Sequence, residues 1–195
     1  SVFQFSLHIE RTPGVCDKDK DHFEFLAPDH IDYRPEISRL LCELIKDDGG
    51  HVMAYNYGFE KGRMKELASF FSEYKTKLLK IVDRTYDLIH ILRGSENLFA
   101  SLGFGKSAQF NFYHPNMHGS FSIKKVLPVL SDLTYQGMPI GNGTQALVTY
   151  AKFPEMKKQN LEKYNKQYKD LLAYCKQDTW AMYVVLEALR KLVYA

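Results

Sequence analysis

Hydrophobic and polar positions alternate from the outset. Phe3, Phe5, Leu7 and Ile9 are interleaved with Gln4, Ser6, His8 and Glu10, the period-two pattern of a half-buried strand. A polar stretch follows with Pro13, Gly14 and the charged run Asp17 to Asp21, and then a second strand near His22 to Leu26. The chain therefore opens with a β-hairpin on a long loop. The period then changes. Pro35 suits a first helical turn, Ile37, Leu40, Leu41, Leu44 and Ile45 form one stripe, and Gly49-Gly50 ends the helix. The short apolar run HVMAYN, beginning at His51, is followed at once by a new helical pattern, the strand-then-helix step of an α/β sheet. Periodicity predicts helices over about 59–71 and 73–92, an irregular loop over about 94–119, a short helix from Ser122 disturbed by Pro128, turn-rich chain over about 131–155, and a closing helix from about 160 to 193. Residues 1–195 read as one α/β domain of ββαβα order with helical additions. Because the chain lacks an initiator Met and opens inside a strand pattern, it is expected to be a fragment of a longer protein.

Composition narrows the class. With 195 residues, 45% hydrophobic and 14% aromatic, the chain can bury a core without a disulfide framework and is too apolar to be disordered. No run approaches the ~18 apolar residues of a membrane span, and no secretory signal opens the chain, so no membrane partner and a cytoplasmic location are expected. Cys16, Cys42 and Cys175 are far apart, which argues against a zinc ribbon and fits a reducing compartment. A net charge of +3 is too small to name a partner.

Candidate chemistry lies in two acids on apolar faces. In the last helix Tyr164, Leu171, Cys175, Met182, Val185 and Leu189 fall within about 40° of a common line, and Asp178 lies in the middle of it. After HVMAYN, Met64, Leu67 and Phe71 share a line with Glu60. A carboxylate facing a core is costly unless a cation or several donors meet it. Glu60 could instead cap a helix or pair with a basic residue, and the same alternative stands for Asp178. Oxygen ligands facing each other across a cleft suit Mg²⁺ or Mn²⁺ and phosphoryl-transfer chemistry.

The spacing Asn56-x-x-x-Glu60 straddles a strand end and a helix start, and Tyr174-x-x-x-Asp178 puts a phenol one helical turn, ~5.4 Å, before the acid. These resemble the second and third motifs of the DnaQ-like 3′→5′ exonuclease superfamily in its tyrosine-bearing (DEDDy) branch. The histidine-bearing branch would require His at position 173, which is Ala. The blocks FQFSLH, NYGFEKGRMKELA, RTYDLIHILR, GSFSIKKVLPVL, MPIGNGTQA and LLAYCKQDTWAM are similar to a bacterial domain family of unknown function placed in that superfamily. The resemblance implies a ribonuclease H-like α/β fold, a mixed sheet flanked by helices. It also implies four carboxylates holding two divalent ions, Mg²⁺ or Mn²⁺. Glu60 and Asp178 would be metal ligands, Tyr174 would orient the attacking water, Asn56 would shape the turn or contact substrate, and Asp87 would be a supporting residue. The superfamily's first motif, an Asp-x-Glu on the first central strand, is absent from these residues, and its second motif ends in Glu60 where Asp is usual. The implied strand order places the absent strand between FQFSLHIE and HVMAYN, so the isolated fragment is expected to shift a strand or exchange one with a second copy, and to be inactive. The function implied is metal-dependent 3′→5′ hydrolysis of single-stranded DNA or RNA, with other domains of the longer chain as partners. The alternative is a non-catalytic module that keeps the fold and binds nucleic acid or protein.

Other residues offer weaker signals. Ser122 and Lys124 open a helix that could hold a substrate phosphate, or Ser122 could simply cap it. Lys157, Lys158, Lys163, Lys166 and Lys169, interleaved with Tyr164 and Tyr168, could track a phosphate backbone, or the tyrosines could pack inward. Gly103-Phe104-Gly105-Lys106-Ser107 mimics the end of a P-loop, but Ala100 stands where its first Gly is required. His114 and His118 have a zinc-ligand spacing but flank Pro115 and Gly119 in a loop. Cys175 reads as a core residue rather than a nucleophile.

Overall fold

The computed structural model describes residues 2–105 and 112–194. The opening strands β1 (Gln4–His8) and β2 (His22–Leu26) form an antiparallel ribbon in which Gln4 faces Leu26 and His8 faces His22. Then come α1 (Arg34–Leu44), β3 (Val52–Ala54), α2 (Gly58–Phe70), α3 (Ser72–Asp83), β4 (Thr85–Asp87), α4 (Leu88–Arg93) and α5 (Glu96–Ser101). A 3-10 turn (Pro115–Met117) leads to α6 (Ile123–Leu130), α7 (Gly143–Ala151), α8 (Phe153–Gln159) and α9 (Leu161–Tyr194).

The alternation of β1 places it between two helical layers. Phe5 and its stacked cross-strand neighbour Phe25, 6.4 Å apart, pack with Ile37 of α1, Leu67 of α2 and Leu78 of α3. On the other face Gln4 Nε2 donates to Leu171 O of α9 at 3.1 Å, and Ser6 and His8 meet Thr179. The second ribbon, β3 paired parallel with β4, sits between the same layers. Val52 packs against Met64, Ile81 and Val82, and Met53 joins the core built on α6 and α9.

The expected ribonuclease H-like mixed sheet is not what these residues form. Helix accounts for 58% of the described residues, and the described strands make two separate two-stranded sheets, β1-β2 and β3-β4, so no continuous sheet among the described residues organises the fold. A two-stranded ribbon is marginal by itself and needs a packed face. Here helices on both faces supply that packing, and α9 in particular contacts β1, β2, α4, α6 and α8. Three local expectations change as well. The predicted helix over 73–92 is broken at Arg84 by β4, the loop after 94 contains α5, and the turn-rich stretch before 155 contains α7.

Against α9 the ribbon carries a directed hydrogen-bond chain. His8 Nε2 lies 3.1 Å from Lys18 O, a carbonyl that can only accept, so His8 holds its proton on Nε2 and accepts at Nδ1 from Thr179 Oγ1 at 2.8 Å. The Thr179 oxygen then accepts from Ser6 Oγ at 2.9 Å, and Ser6 Oγ accepts from His22 Nε2 at 2.9 Å. The His8 and His22 rings lie 4.7 Å apart. Burial lowers the pKa of His8, and burial together with the charges of His8 and Lys176 takes His22 down to about 4. A histidine with a lowered folded pKa binds fewer protons folded than unfolded between the two values. Its stabilising effect is complete above the ordinary 6.5 and disappears as pH falls from there toward about 4. An NMR titration should find His22 neutral with its proton on Nε2 until about pH 4; titration near 6.5 would mean that the chain is not formed.

Candidate functional site

Two strand-to-helix turns lie side by side because β3 and β4 run parallel. Asp87, the last residue of β4, caps α4 by accepting from Ile89 N at 3.0 Å. The same carboxylate accepts from Asn56 N at 2.8 Å and Tyr57 N at 2.9 Å, across the β3–α2 turn. With its side chain only 2% exposed, Asp87 is a buried clamp for both turns. The chain reaches it through Asn56, which takes φ +63°. Asn tolerates that left-handed conformation better than most residues with a β-carbon.

The turn delivers Glu60 into the first helical turn of α2, half-buried, with Oε2 enclosed and without a hydrogen-bond partner. Burial raises the Glu60 pKa, the charges of Asp87 and Asp178 raise it further, and a backbone N–H opposes them. Asp178 of α9 is also raised, by burial first, against the lowering influence of the nearby Tyr135 and Tyr174 hydroxyls and the positive charge of Lys124. Tyr174 is buried beside it, its own pKa raised by burial and by the Asp178 charge. Lys124 bonds to Gly141 O and lies 5.5 Å from the Tyr135 ring centre and 5.8 Å from that of Tyr174. Asp178, Tyr174 and Lys124 therefore form one site, and Glu60 lies within range of the Asp178 charge. Ser122 precedes α6 without capping it through its side chain, and its N–H donates to Ser120 Oγ at 3.3 Å. Asn56 is exposed and engages Asp87 through its backbone, while Asp87 acts on Glu60 through its field.

Two tyrosines of the site carried no periodic signal in the sequence. Tyr135 is 9% exposed and aims its hydroxyl at Asp178. It lies close enough to lower the Asp178 pKa but outside normal hydrogen-bond geometry, so Oη has no partner. Tyr55 donates to Phe121 O at 2.5 Å, tying the end of β3 to the chain before α6. Both lie in turn-flanking segments, where neither period two nor period 3.6 applies.

The remaining candidates separate cleanly. Tyr164 and Tyr168 donate to Pro28 O at 2.7 Å and Leu26 O at 2.8 Å, so the tyrosines of the lysine-rich stripe anchor α9 to the chain after β2 rather than present rings for stacking. Burial pushes the Cys175 thiol up to about 12, which leaves it un-ionised at neutral pH. His114 Nδ1 accepts from Asn116 N at 3.2 Å and caps a turn. Gly103 and Gly105 follow α5, whereas Lys106 and Ser107 of the P-loop mimic lie outside the described residues.

Glu60 and Asp178 offer hard oxygen donors, and the orphaned Glu60 Oε2 is an unmet demand for a cation or proton. Mg²⁺ is commonly held by one or two carboxylates with water and substrate phosphates completing the shell. Among the described residues no group of three or more His, Cys, Asp and Glu could hold a metal ion, so the four-carboxylate set implied by the resemblance is not assembled from them. Glu60 and Asp178 are the two that would ligate.

A family model described as "Domain of unknown function (DUF2779)" matches residues 1–122, which takes in Asn56, Glu60, Asp87 and Ser122. An uncharacterized protein, UU173, of Ureaplasma parvum serovar 3 is 30% identical over 156 aligned residues, covering 72% of this chain and 21% of that protein. The chain thus spans about a fifth of the length of this relative. No solved structure matches the chain. No helix among the described residues is long and apolar enough to cross a membrane.

If Asp87 is the clamp, Asp87→Asn should lower stability by about 3 kcal/mol in denaturant unfolding, because an amide nitrogen would face backbone N–H donors. Asn56→Gly should be close to neutral and Asn56→Ala should cost about 1 kcal/mol, the penalty of a β-carbon at positive φ. Equal effects of Gly and Ala would remove the conformational explanation.

Proposed function

We propose that this chain, which belongs to the DUF2779 family, supplies the Glu60, Tyr174 and Asp178 part of a divalent-cation-dependent 3′→5′ exonuclease. The substrate class is single-stranded DNA or RNA ends, the reaction adds water across a phosphodiester bond, and the product is a nucleoside 5′-monophosphate. One observation carries the reading. Two acids from distant helices are each half-buried with a pKa raised by burial, that of Glu60 raised further by the Asp178 charge, while one Glu60 oxygen and the hydroxyl of Tyr135 beside Asp178 have no hydrogen-bond partner. Such an arrangement is expensive to maintain as a mere packing feature. A bound Mg²⁺ or Mn²⁺ would supply charge neutralisation and polarise the phosphate and the attacking water.

The chain's own groups divide the remaining work. Tyr174 and Tyr135 place hydroxyls beside Asp178, where a phenol can hold a water by hydrogen bonding. Lys124 brings a positive charge to the same side chains and suits a non-bridging phosphate oxygen. Ser122, at the entrance to the helix that carries Lys124, is the second substrate contact in this reading. Nucleic acid and the further domains of a longer polypeptide are the proposed partners, in a cytoplasmic setting that suits three free thiols.

The test uses the whole protein that carries this chain, 5′-labelled single strands and millimolar Mg²⁺ or Mn²⁺. The expected result is stepwise shortening from the 3′ end that stops in EDTA. Asp178→Asn should lower the rate on the order of a thousandfold, since an amide cannot replace an anionic ligand. Tyr174→Phe should cost about tenfold, because the acids remain. Full activity in Asp178→Asn, free of contaminating nuclease, would place the chemistry elsewhere. Strand binding without cleavage under any cation would favour the non-catalytic module.

A further inference from the structure

The two clamped turns create a second feature that the acid site does not use. Beside them lies a cleft of about 340 Å³ whose walls include Tyr57 from the β3–α2 turn, Tyr86 from β4 and His90 from α4, with Ser95, Asn97 and Leu98 of the α5 segment opposite. Asp87 also lines it. Crevices at the carboxyl ends of neighbouring parallel strands are favoured ligand sites because the turns diverge there.

Its chemistry is that of a planar, polar-edged ligand. The Tyr57 and His90 rings meet edge to face, 5.3 Å apart at 77°. Tyr86 is 42% exposed and is braced edge-on by His51, 5.1 Å away. Lys61 Nζ lies over the Tyr57 ring, 4.0 Å from its centre, so it covers one face of that ring and brings positive charge next to the cleft. Asn97 and Ser95 add amide and hydroxyl groups that can read a heterocycle's edge. The cleft is at the small end of ligand pockets, too small for a base pair together with its backbones. Lys61 follows Glu60 directly on α2, so a base in the cleft has its phosphate beside the residues at which the acid site begins. Phe59, 71% exposed with the Arg63 guanidinium 5.6 Å from its ring, continues an aromatic and cationic surface outward along the same helix.

We propose that this cleft binds one unpaired nucleobase, stacked on Tyr86 beside the Tyr57–His90 pair, with Lys61 near its phosphate. The inference deepens the exonuclease reading and rests on it for the identity of the ligand. It would make the protein prefer single strands, because a base inside a duplex has no free face to offer Tyr86.

The experiment separates binding from chemistry. The whole protein is titrated in EDTA, without divalent cation, with AMP and with ribose 5-phosphate, which has the phosphate but no base, while NMR follows the His90 imidazole and the tyrosine rings. AMP should shift Tyr57, Tyr86 and His90 and bind at least about tenfold more tightly than ribose 5-phosphate. Tyr86→Ala should weaken AMP binding about tenfold, whereas Tyr86→Phe, which keeps the ring, should retain it. Tyr86 is half-exposed, and unchanged circular dichroism of the variant excludes unfolding as the cause. In strand shortening Tyr86→Ala should raise KM with little change in kcat. Equal affinity for both probes, or AMP affinity indifferent to Tyr86→Ala, would overturn the cleft assignment. AMP bound in the cleft by a protein that never shortens strands would uphold the base site and fail the exonuclease. Strand shortening with an unchanged KM in Tyr86→Ala would do the reverse.

Discussion

One carboxylate holds the functional half of the molecule in register. Asp87 accepts three backbone N–H groups from two turns, and nearly all of its side chain is removed from water. Such burial is tolerable because both carboxylate oxygens are met by fixed N–H dipoles. The consequence reaches beyond the clamp. Asn56 and Tyr57 are fixed at the start of α2, which sets the direction of that helix and with it the position of Glu60. The ribbon β3-β4 has only three residues per strand, too few for its ladder alone to fix two helices.

The acid site is built on the opposite principle. Asp87 has its hydrogen bonds satisfied, whereas Glu60 keeps one enclosed oxygen unpartnered and Tyr135 keeps its hydroxyl unpartnered. Proteins satisfy most buried polar atoms, and the Glu60 and Tyr135 oxygens are two of the described atoms that the protein's own groups leave open. The raised pKa values of Glu60 and Asp178 are the same fact in electrostatic terms: each helix was folded with an acid whose ionised form the surroundings do not fully support. Lys124 offsets part of that on the Asp178 side, and a lysine whose ammonium hangs between two phenol rings is still able to take an additional anionic partner.

What the sequence made legible depended on the length of each periodic signal. The five-residue strands of the first ribbon and the 34-residue last helix stand out, and the faces computed for α9 and α2 put Asp178 and Glu60 among Tyr164, Leu171, Met64 and Leu67, all of which are buried. Three-residue β4 has no period to detect, so Thr85, Tyr86 and Asp87 were absorbed into a helix that ends earlier, at Asp83. That error propagated, since a strand at 85–87 is what makes Asp87 a clamp. The expectation of one mixed sheet failed because it came from resemblance, while the described backbone pairs strands only two by two. Tyr135 escaped for a simpler reason: its burial comes from tertiary contact between a turn and α9, and no local pattern encodes that.

The longest helix leaves one further consequence. Asp178 and Thr179 are consecutive on α9, and a step of about 100° turns them toward different neighbours. The first belongs to the acid site, and the second is the middle link between His8 and Ser6. A single turn of helix is thus a party wall between two rooms with unrelated chemistry. Whatever redecorates one room shifts the masonry of the other, so a lesion on the histidine side would be felt as misalignment on the acid side without touching any acid.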